Sequence, residues 1–559
     1  MARLQPMDLT SLRAVLAEWR ALLLPSRFEK AQQGSSHSLQ LGLRHLGGIQ
    51  WLELCWQAEA ARLHTIDPPP RQGEGSTLAQ QLQHGLRGLA LVSIEQPGWD
   101  RLVSLGFARR PGEPLEKRLV IELMGRHSNL FLLEADDRVV ALARQVKPGQ
   151  SRLRPIGTGD PYQAPPAPAG SPPDGSPSFA TWQRRLLLLP LPLERALRDA
   201  YQGVSPALAR QLVPAPWLEQ PVQDLSPHQW QQLWAAWQGW LEALEQGAFH
   251  WQHSGDAYRC WGAPAASAPD GPGAEPLAIN RGLAAYYREH LGQRQLAETR
   301  LQLGQQLQRL AEREARQAHD QQALLTAAAG SEVLQQQADA LLSQLQPSRQ
   351  CIDTAQKLYR RARKLRRSIA AITPRLDHHR QHLAAIETSL TYLEQAETVE
   401  QLESLRQELE DLLGRSTRPG RRQRRAAAAN GSEPQPLLLH TSAGVGMQVG
   451  RNHRQNEWIS LRQARRGDLW FHAQELPGSH VVLKSSAMAA EEADLQAAAD
   501  LAAHFSRGRA NGRVPVVMVP VEELQRIAGA APGTVRHRGG TVMWGIPERA
   551  LSLIAARQP

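Results

Sequence analysis

Asp468, Trp470 and His472 alternate with Leu469 and Phe471. In a strand, that alternation puts the polar and aromatic side chains on one face and the apolar pair on the other. Trp470 could then stack on a base or ribose while Arg451, upstream, holds a phosphate; a tryptophan packed into a core is the competing reading. His472 and His480 are metal-ligand types, but no third ligand stands at a convincing spacing, so no metal is expected. Far upstream, Asp100 and Arg101 are adjacent. In a strand they would face opposite ways and could not neutralise each other. Arginine suits bidentate phosphate contact, and aspartate suits base or ribose donors or a neighbouring arginine; two ordinary surface salt bridges would also satisfy them. Arg126 and His127 sit at a polar break between apolar runs, where they either meet RNA or only close a local turn. Lys357, Arg360, Arg361, Arg363, Lys364, Arg366 and Arg367 crowd into eleven residues without an acid. Like charges at this density repel unless an anion offsets them, so a phosphate-contacting patch is expected, with solvated helix surface as the alternative. No nucleophile activated by a neighbouring base is evident. The chemistry within reach is recognition of nucleic acid, with no catalytic residue and no cofactor.

The balance of the whole chain points the same way. Its 559 residues carry a net charge of +10, an excess that draws in polyanions, whether nucleic acid or an anionic membrane. Cys55, Cys260 and Cys351 are too few and too scattered for a disulfide framework or a zinc motif, which fits a reducing cytoplasm. Arg3, Asp8, Arg13, Glu18 and Arg20 interrupt the first apolar positions, so export by a signal peptide is not expected. No uncharged apolar run approaches the roughly 20 residues needed to cross a bilayer.

A chain this long needs several cores, and its patterns predict a multidomain α+β fold. Residues 1–163 open with a helix bearing Leu9, Leu12, Val15, Leu16, Trp19 and Leu23, followed by strands; Leu119, Ile121 and Leu123, then Leu130 to Leu133, read as a β-hairpin. Residues 164–178 are a Pro/Gly/Ser linker. Residues 179–278 form a helix-hairpin-helix region in which Gly203 ends one helix and Ser205-Pro206 starts the next; backbone N–H groups there would suit a phosphate. Trp230, Trp234, Trp237, Leu241 and Leu244 mark a packed helical face. From 279 to 415, leucines at three-and-four spacing predict two antiparallel coiled-coil arms; arms of roughly 50 residues would reach about 75 Å. A basic linker, 416–436, contains Arg421, Arg422, Arg424 and Arg425, and residues 437–559 form a terminal α+β domain.

The run VGRNHRQNEWISLRQARRGDLWFHAQELPGSHVVL, with Gly450-Arg451-Asn452, Gln455-Asn456, Asp468 to His472 and Pro477 to His480, resembles the RNA-binding domain of the NFACT family. VPVVMVPVEELQRI and PGTV continue the likeness, and DLTSLRAVLAEW, GWDRLV, ELMGRHSN and YQGVSPALAR extend it in order to the N-terminal half. The resemblance implies that Asp100 and Arg101, joined by Asp8, and with Arg126 and His127 as candidates, serve tRNA binding. It places RNA contact at Arg451, Asn452, Gln455, Asn456, Asp468, Trp470, His472 and His480; for such a partner the charge cluster itself offers Arg360, Arg361, Arg363, Lys364, Arg366 and Arg367 as candidates for ribosome contact. Such proteins bind a large ribosomal subunit that carries peptidyl-tRNA, contact ribosomal RNA, and recruit aminoacyl-tRNA without mRNA. In bacteria the donor is chiefly alanyl-tRNA, and the untemplated tail marks the trapped chain for degradation. Bond formation belongs to the ribosomal peptidyl-transferase centre, so the implied protein is a non-enzymatic, cytoplasmic factor that acts as a monomer by positioning its partners.

One departure stands out. Many family members carry a small β-containing insertion between the arms, whereas LLSQLQPSRQCIDTAQKLYRRARKLRRS passes almost directly from one arm to the other, so contact with the subunit's stalk region is in doubt or is replaced by the basic cluster around Arg363. Two rival functions are a fibronectin-binding surface adhesin, disfavoured by the lack of an export signal, wall anchor or repeat array, and a generic tRNA- or RNA-binding protein.

Overall fold

The computed structural model describes residues 4–71, 73, 75–151, 154–173, 178–262, 277–412, 433–527 and 530–556. The arginine run at 421–425 and most of the loop after Gly262 lie outside them. The chain divides into two compact units, Met1–Gly292 and Gln293–Pro559.

The first unit is built on a nine-stranded sheet in the order β4-β3-β2-β1-β5-β6-β7-β8-β9. Its strands are β1 (Ser26–Ser35), β2 (Ser38–His45), β3 (Gly48–Cys55), β4 (Arg62–Ile66), β5 (Ala90–Glu95), β6 (Leu102–Ala108), β7 (Lys117–Glu122), β8 (Asn129–Glu134) and β9 (Val139–Leu142). Helix α1 (Leu9–Leu23) buries Leu12, Val15, Leu16, Trp19 and Leu23 in one core with Leu41, Leu52, Leu105 and Leu119. A short helix, α2 (Thr77–Gly85), returns the chain to β5 beside β1. The expected hairpin is β7–β8, with Leu119 opposite Leu132 and Ile121 opposite Leu130. Alternate positions serve different cores: Leu119 and Ile121 join α1, while Val120 joins Leu102, Phe131 and Leu133.

Helices α3 (Phe179–Leu186), α4 (Leu193–Ala200), α5 (Pro206–Leu212), α6 (Ala215–Leu218) and α7 (Pro227–Gln246) enclose a core rich in tryptophan. The α7 stripe differs from the sequence expectation. Trp230, Leu233, Trp237, Trp240 and Ala243 are buried, while Trp234, Leu241 and Leu244 are only half-buried. The cause is packing on two sides: Trp237 meets Trp182 and Tyr201, and Trp240 meets Trp99. The Pro/Gly/Ser segment is not a free linker where it is described. The Ser171 amide donates to the Ala200 carbonyl, and the Gln202 side chain donates to the Pro168 and Gly170 carbonyls. A two-stranded ribbon, β10 (Phe249–Ser254) and β11 (Ala257–Trp261), precedes α8 (Ala278–Ala328).

In the second unit, α8 is followed by α9 (Ser331–Leu342), α10 (Arg349–Gln395) and α11 (Val399–Leu412). Leu303, Leu307 and Leu310 of α8 pack with Ile386 and Leu393 of α10, and Asp339 of α9 accepts from the Tyr359 hydroxyl. The antiparallel pairing expected from the leucine spacing is present. The second arm, however, is two helices, broken after Gln395, and α11 folds Leu402, Leu405 and Leu409 into the same apolar cluster. No strand interrupts the described residues between 293 and 412. A six-stranded sheet follows, in the order β12 (Leu437–His440), β13 (Gly446–Val449), β15 (Val481–Leu483), β14 (Leu469–Ala473), β16 (Val514–Pro520) and β19 (Thr541–Gly545). Helix Glu492–His504 covers one face. Among the described residues no helix is long and apolar enough to cross a membrane, and no group of three or more His, Cys, Asp or Glu could hold a metal ion.

Candidate nucleic-acid interface

In the first unit, motifs far apart in sequence meet at one end of the sheet. Asp8 caps α1: its Oδ1 accepts from the Ser11 amide at 2.9 Å and from the Ser11 hydroxyl at 2.7 Å. Its Oδ2 accepts from the Ser205 hydroxyl at 2.8 Å, while Ser205 Oγ accepts from the Leu208 amide at 2.9 Å and so caps α5. One carboxylate therefore ties the start of α1 to the turn of the helical hairpin. Gly203, at φ +75°, lies so close that a Cβ would come within 2.6 Å of Leu9 and 3.3 Å of Trp99. Asp8 itself is only 6% exposed, with both oxygens engaged, so here it is a positioning residue.

Asp100 and Arg101 are not in a strand. They form a bend just before β6, with the Arg101 amide donating to Asp100 Oδ1 at 2.7 Å; the opposite-face argument, which needs extended backbone, does not apply. The bend is held from both sides. Arg13 of α1 lies over the Trp99 ring at 4.4 Å and donates to the Gly98 carbonyl, and Trp240 of α7 packs against Trp99 while its Nε1 donates to Thr10. Arg101 Nη1 reaches the carbonyl of Met7, the residue before Asp8, at 3.2 Å. Its Nε and Nη2 have no protein partner among the described residues.

Because Leu102 pairs with Glu122 and the Leu123 amide donates to the Arg101 carbonyl, the β7–β8 connection leaves the sheet at the same end. That connection is a single 3-10 turn, Gly125–His127, with Arg126 and His127 exposed and Arg126 Nε directed at His127 Nε2 at 3.1 Å. Arg144, also exposed, donates to the Arg126 carbonyl. Arg101, Arg126 and Arg144 thus give this end of the unit a cationic rim around a polar bend.

In the second unit, the motif residues serve structure more than display. Asn452 caps helix His453–Glu457, and its side chain donates to Ser404 of α11. The amides of His453 and Arg454 at that helix start donate to the buried Glu408 carboxylate of α11, at 3.1 Å each. The Tyr392 hydroxyl of α10 accepts from Asn456 at 2.6 Å and donates to the Gly478 carbonyl at 3.2 Å, and Ser389 meets His453 Nε2 at 2.9 Å. Gln455 braces the Arg451 amide, and Arg451, which is half-buried, pairs with Glu397. These motif residues fasten the sheet domain to the base of the helical arm.

The expected split of β14 into a contact face and a core face does not occur, because both faces are covered. Trp470, 2% exposed, belongs to a second core with Ile459, Val482, Val519 and Leu524, and stacks on His472 at 5.5 Å. Asp468 is fully buried, accepting from the Ser486 amide and hydroxyl, the Arg465 amide and Lys484 Nζ, and these bonds hold its carboxyl below the usual range. His480 bonds Ser460. Burial drives His472 and His453 down to about 4 and His480 well below the usual imidazole value, so these rings are neutral near pH 7 and bring no charge to a phosphate.

The basic cluster on α10 is the converse case. Lys357, Arg360, Arg361, Arg363, Lys364, Arg366 and Arg367 are all exposed, while Ala355 and Ala362 face inward. None has an ion-pair partner among the described residues; Arg366 reaches only the Gln335 amide oxygen.

Together these features define a multidomain α+β protein with a β-sheet and helical-hairpin unit, a long helical arm and a second sheet domain. The family description NFACT N-terminal and middle domains matches residues 8–350 and 343–426, and NFACT protein RNA binding domain matches 437–539. The chain belongs to the NFACT family. Curated relatives named Rqc2 homolog RqcH are 24% identical: one from Streptococcus pneumoniae over 94% of this chain and 95% of its own length, and one from Bacillus subtilis over 92% and 93%. Among solved structures, the C-terminal part of the fibronectin/fibrinogen-binding protein from Streptococcus suis aligns at 23% identity over 46% of this chain and 98% of that one, with a TM-score of 0.39. Its N-terminal part aligns at 20% identity over 51% and 99%, also with a TM-score of 0.39.

Side-chain bonds of Ser205, Tyr392 and Glu408 escaped sequence reasoning. Asp8 with Ser11 three residues on is a readable capping pattern, but the reach to Ser205 spans 197 positions and leaves no local trace.

Proposed function

We propose that this protein is a ribosome quality-control factor that binds large ribosomal subunits obstructed by peptidyl-tRNA, recruits aminoacyl-tRNA, with alanyl-tRNA as the expected donor, and promotes mRNA-independent C-terminal tailing. The observation that carries the reading is the convergence of Asp8, Asp100, Arg101 and Ser205 at one end of the nine-stranded sheet, with two Arg101 donors without a partner among the described residues. Relatives covering nearly the whole chain are named Rqc2 homolog RqcH, which supports extending the family role here. Arg101 would contact tRNA phosphate or a base edge, Asp100 would orient it and accept from ribose or base, and Asp8 would hold the bend against the helical hairpin. Arg126 and His127 would extend that contact. The bond itself would form in the ribosome, so the chain contributes orientation. The α10 cations would bind ribosomal RNA through phosphate neutralisation. In the terminal domain, Arg451, Gln455 and the exposed basic loops remain candidates for RNA contact, while Asn452, Asn456, Asp468, Trp470, His472 and His480 would act by shaping the domain.

Sucrose-gradient sedimentation of lysate after induced stalling tests this: the tagged chain should travel with free large subunits that carry peptidyl-tRNA. A chain that stays at the top of the gradient contradicts the ribosomal reading. Binding naked RNA as tightly as split subunits favours a generic RNA-binding protein.

A further inference from the structure

The chain has fifteen tryptophans, seven tyrosines and seven phenylalanines; among the described residues only Trp544 of these is exposed, at 58%. It lies on β19, an edge strand of the six-stranded sheet, beyond the residues matched by the RNA-binding-domain family. Strand register fixes which face it occupies. Trp544 pairs with Pro515 and Val542 pairs with Val517 on β16, and Val517 in turn pairs with His472 on β14. Trp544 and Val542 therefore continue the Trp470 face outward. The turn Trp458–Arg462 and the β17 (Leu524–Arg526) and β18 (Val535–His537) hairpin cover the inner half of that face. Gly540, at φ +122°, lets the chain cross directly over Val517 and Val519, where a Cβ would come within 2.8 Å and 3.0 Å of their methyl groups. Beyond that crossing the face is open: Val542 is 50% exposed, and Pro515 is half-buried beside Trp544.

Exposed arginines stand at both approaches to the open half. Arg513, immediately before β16 and two residues before Pro515, is exposed at the Trp544 end, as are Arg507 and Arg509 earlier in the same loop; Arg536 and Arg538, also exposed, precede β19 at its other end. None of the five has a carboxylate partner among the described residues. An exposed indole beside unpaired cations is the arrangement that holds an unpaired base by stacking and its backbone by charge.

We infer that Trp544 and Val542, flanked by Arg513 and Arg538, form a stacking platform for an unpaired nucleotide of single-stranded RNA. The inference rests on the RNA-binding reading of this domain and moves the aromatic contact from the buried Trp470 to the edge strand. An acidic partner protein is the competing occupant, but an apolar protein contact would not require exposed arginines without carboxylate partners at both approaches to a single indole.

The test uses the full chain, anisotropy of a fluorescein-labelled oligoadenylate, and a duplex RNA of equal length. Trp544→Ala should weaken single-strand binding by about tenfold and leave duplex binding unchanged, because paired bases offer no open face. Trp544→Phe should retain most of the affinity. Arg513→Gln should lower the slope of log affinity against log salt by about 0.7. Single-strand affinity within twofold of wild type in Trp544→Ala overturns the platform, and so does an equal loss for single strand and duplex. Loss of self-association or of a protein contact with RNA binding intact assigns the patch to protein instead. A wild-type chain that binds neither RNA defeats the RNA reading of the whole domain together with the platform.

Discussion

Replacing Ser205 by alanine removes two bonds at once: the hydroxyl's bond to Asp8 at 2.8 Å and the acceptor for the Leu208 amide at 2.9 Å. Loss of an N-cap costs about 1 kcal/mol, and loss of a hydrogen bond to a charged acceptor about 2 kcal/mol. The variant should therefore lose about 3 kcal/mol in the first unit, a fall in Tm on the order of 6 °C. Ser205→Asp separates the two contributions. It keeps a capping oxygen for Leu208 but sets a second carboxylate against Asp8, so the hairpin helix survives while its tie to α1 is lost. Thermal unfolding gives the total, and exchange of the Leu208 amide reads the cap. A double-mutant cycle with Asp8→Ser, whose single oxygen can still cap the Ser11 amide but whose side chain is too short to carry a second oxygen to Ser205, isolates the tie. Coupling of at least about 1 kcal/mol is expected. Additivity within about 0.5 kcal/mol, or a Tm shift of less than about 2 °C for Ser205→Ala, would refute the view that Asp8 locks the hairpin against the sheet.

Neutralising Arg360, Arg361, Arg363 and Arg367 to Gln should weaken subunit binding and flatten its salt dependence by up to about 0.9 in slope per lost phosphate contact, with helicity unchanged; an unchanged slope assigns the cluster to solvated surface. Tyr392→Phe removes the hydroxyl that donates to the Gly478 carbonyl and leaves the buried Asn456 amide without its Tyr392 acceptor, and should destabilise the second unit by about 2 kcal/mol in urea melts; a change within experimental scatter contradicts the docking role. His453 and His480 are held neutral in the fold, so protons bind the unfolded chain preferentially. Stability present above about pH 6.5 should fall as the pH drops toward the folded values, by about 1.4 kcal/mol per ring at about pH 5.5, and a flat urea midpoint between neutral pH and that value would be inconsistent with this burial.

Local patterns carried much of the architecture. Alternation from Leu119 to Leu133 gave the β7–β8 hairpin, Ser205-Pro206 marked the start of α5, and the leucines from Leu303 to Leu310 marked an arm that pairs with α10. What local pattern could not carry was tertiary covering. Period-two alternation assigns Trp470 and Phe471 to opposite faces but is silent on whether a hairpin 50 residues later closes over one of them, as β17 and β18 do. Asp100 and Arg101 looked like the head of a strand because Leu102 to Phe107 is apolar; the bend comes from Pro97-Gly98 and from Trp99 being caught between α1 and α7. Asn452 and Asn456 read as polar contact residues because their partners, Ser404 and Tyr392, sit in helices whose leucine spacing hides them.

The central claim, that the bend at the end of the first unit's sheet serves tRNA capture, is tested most directly by mass spectrometry of a stalled reporter released from cells carrying wild type or the Asp100→Ala, Arg101→Ala double variant. Arg101 gives up one side-chain bond to Met7 and Asp100 one to a neighbouring amide, so the variant should fold and still sediment with obstructed large subunits. The account predicts untemplated C-terminal residues, chiefly alanine, with wild type and none with the variant. Tails of equal length from both, or loss of subunit binding together with tailing, would contradict it.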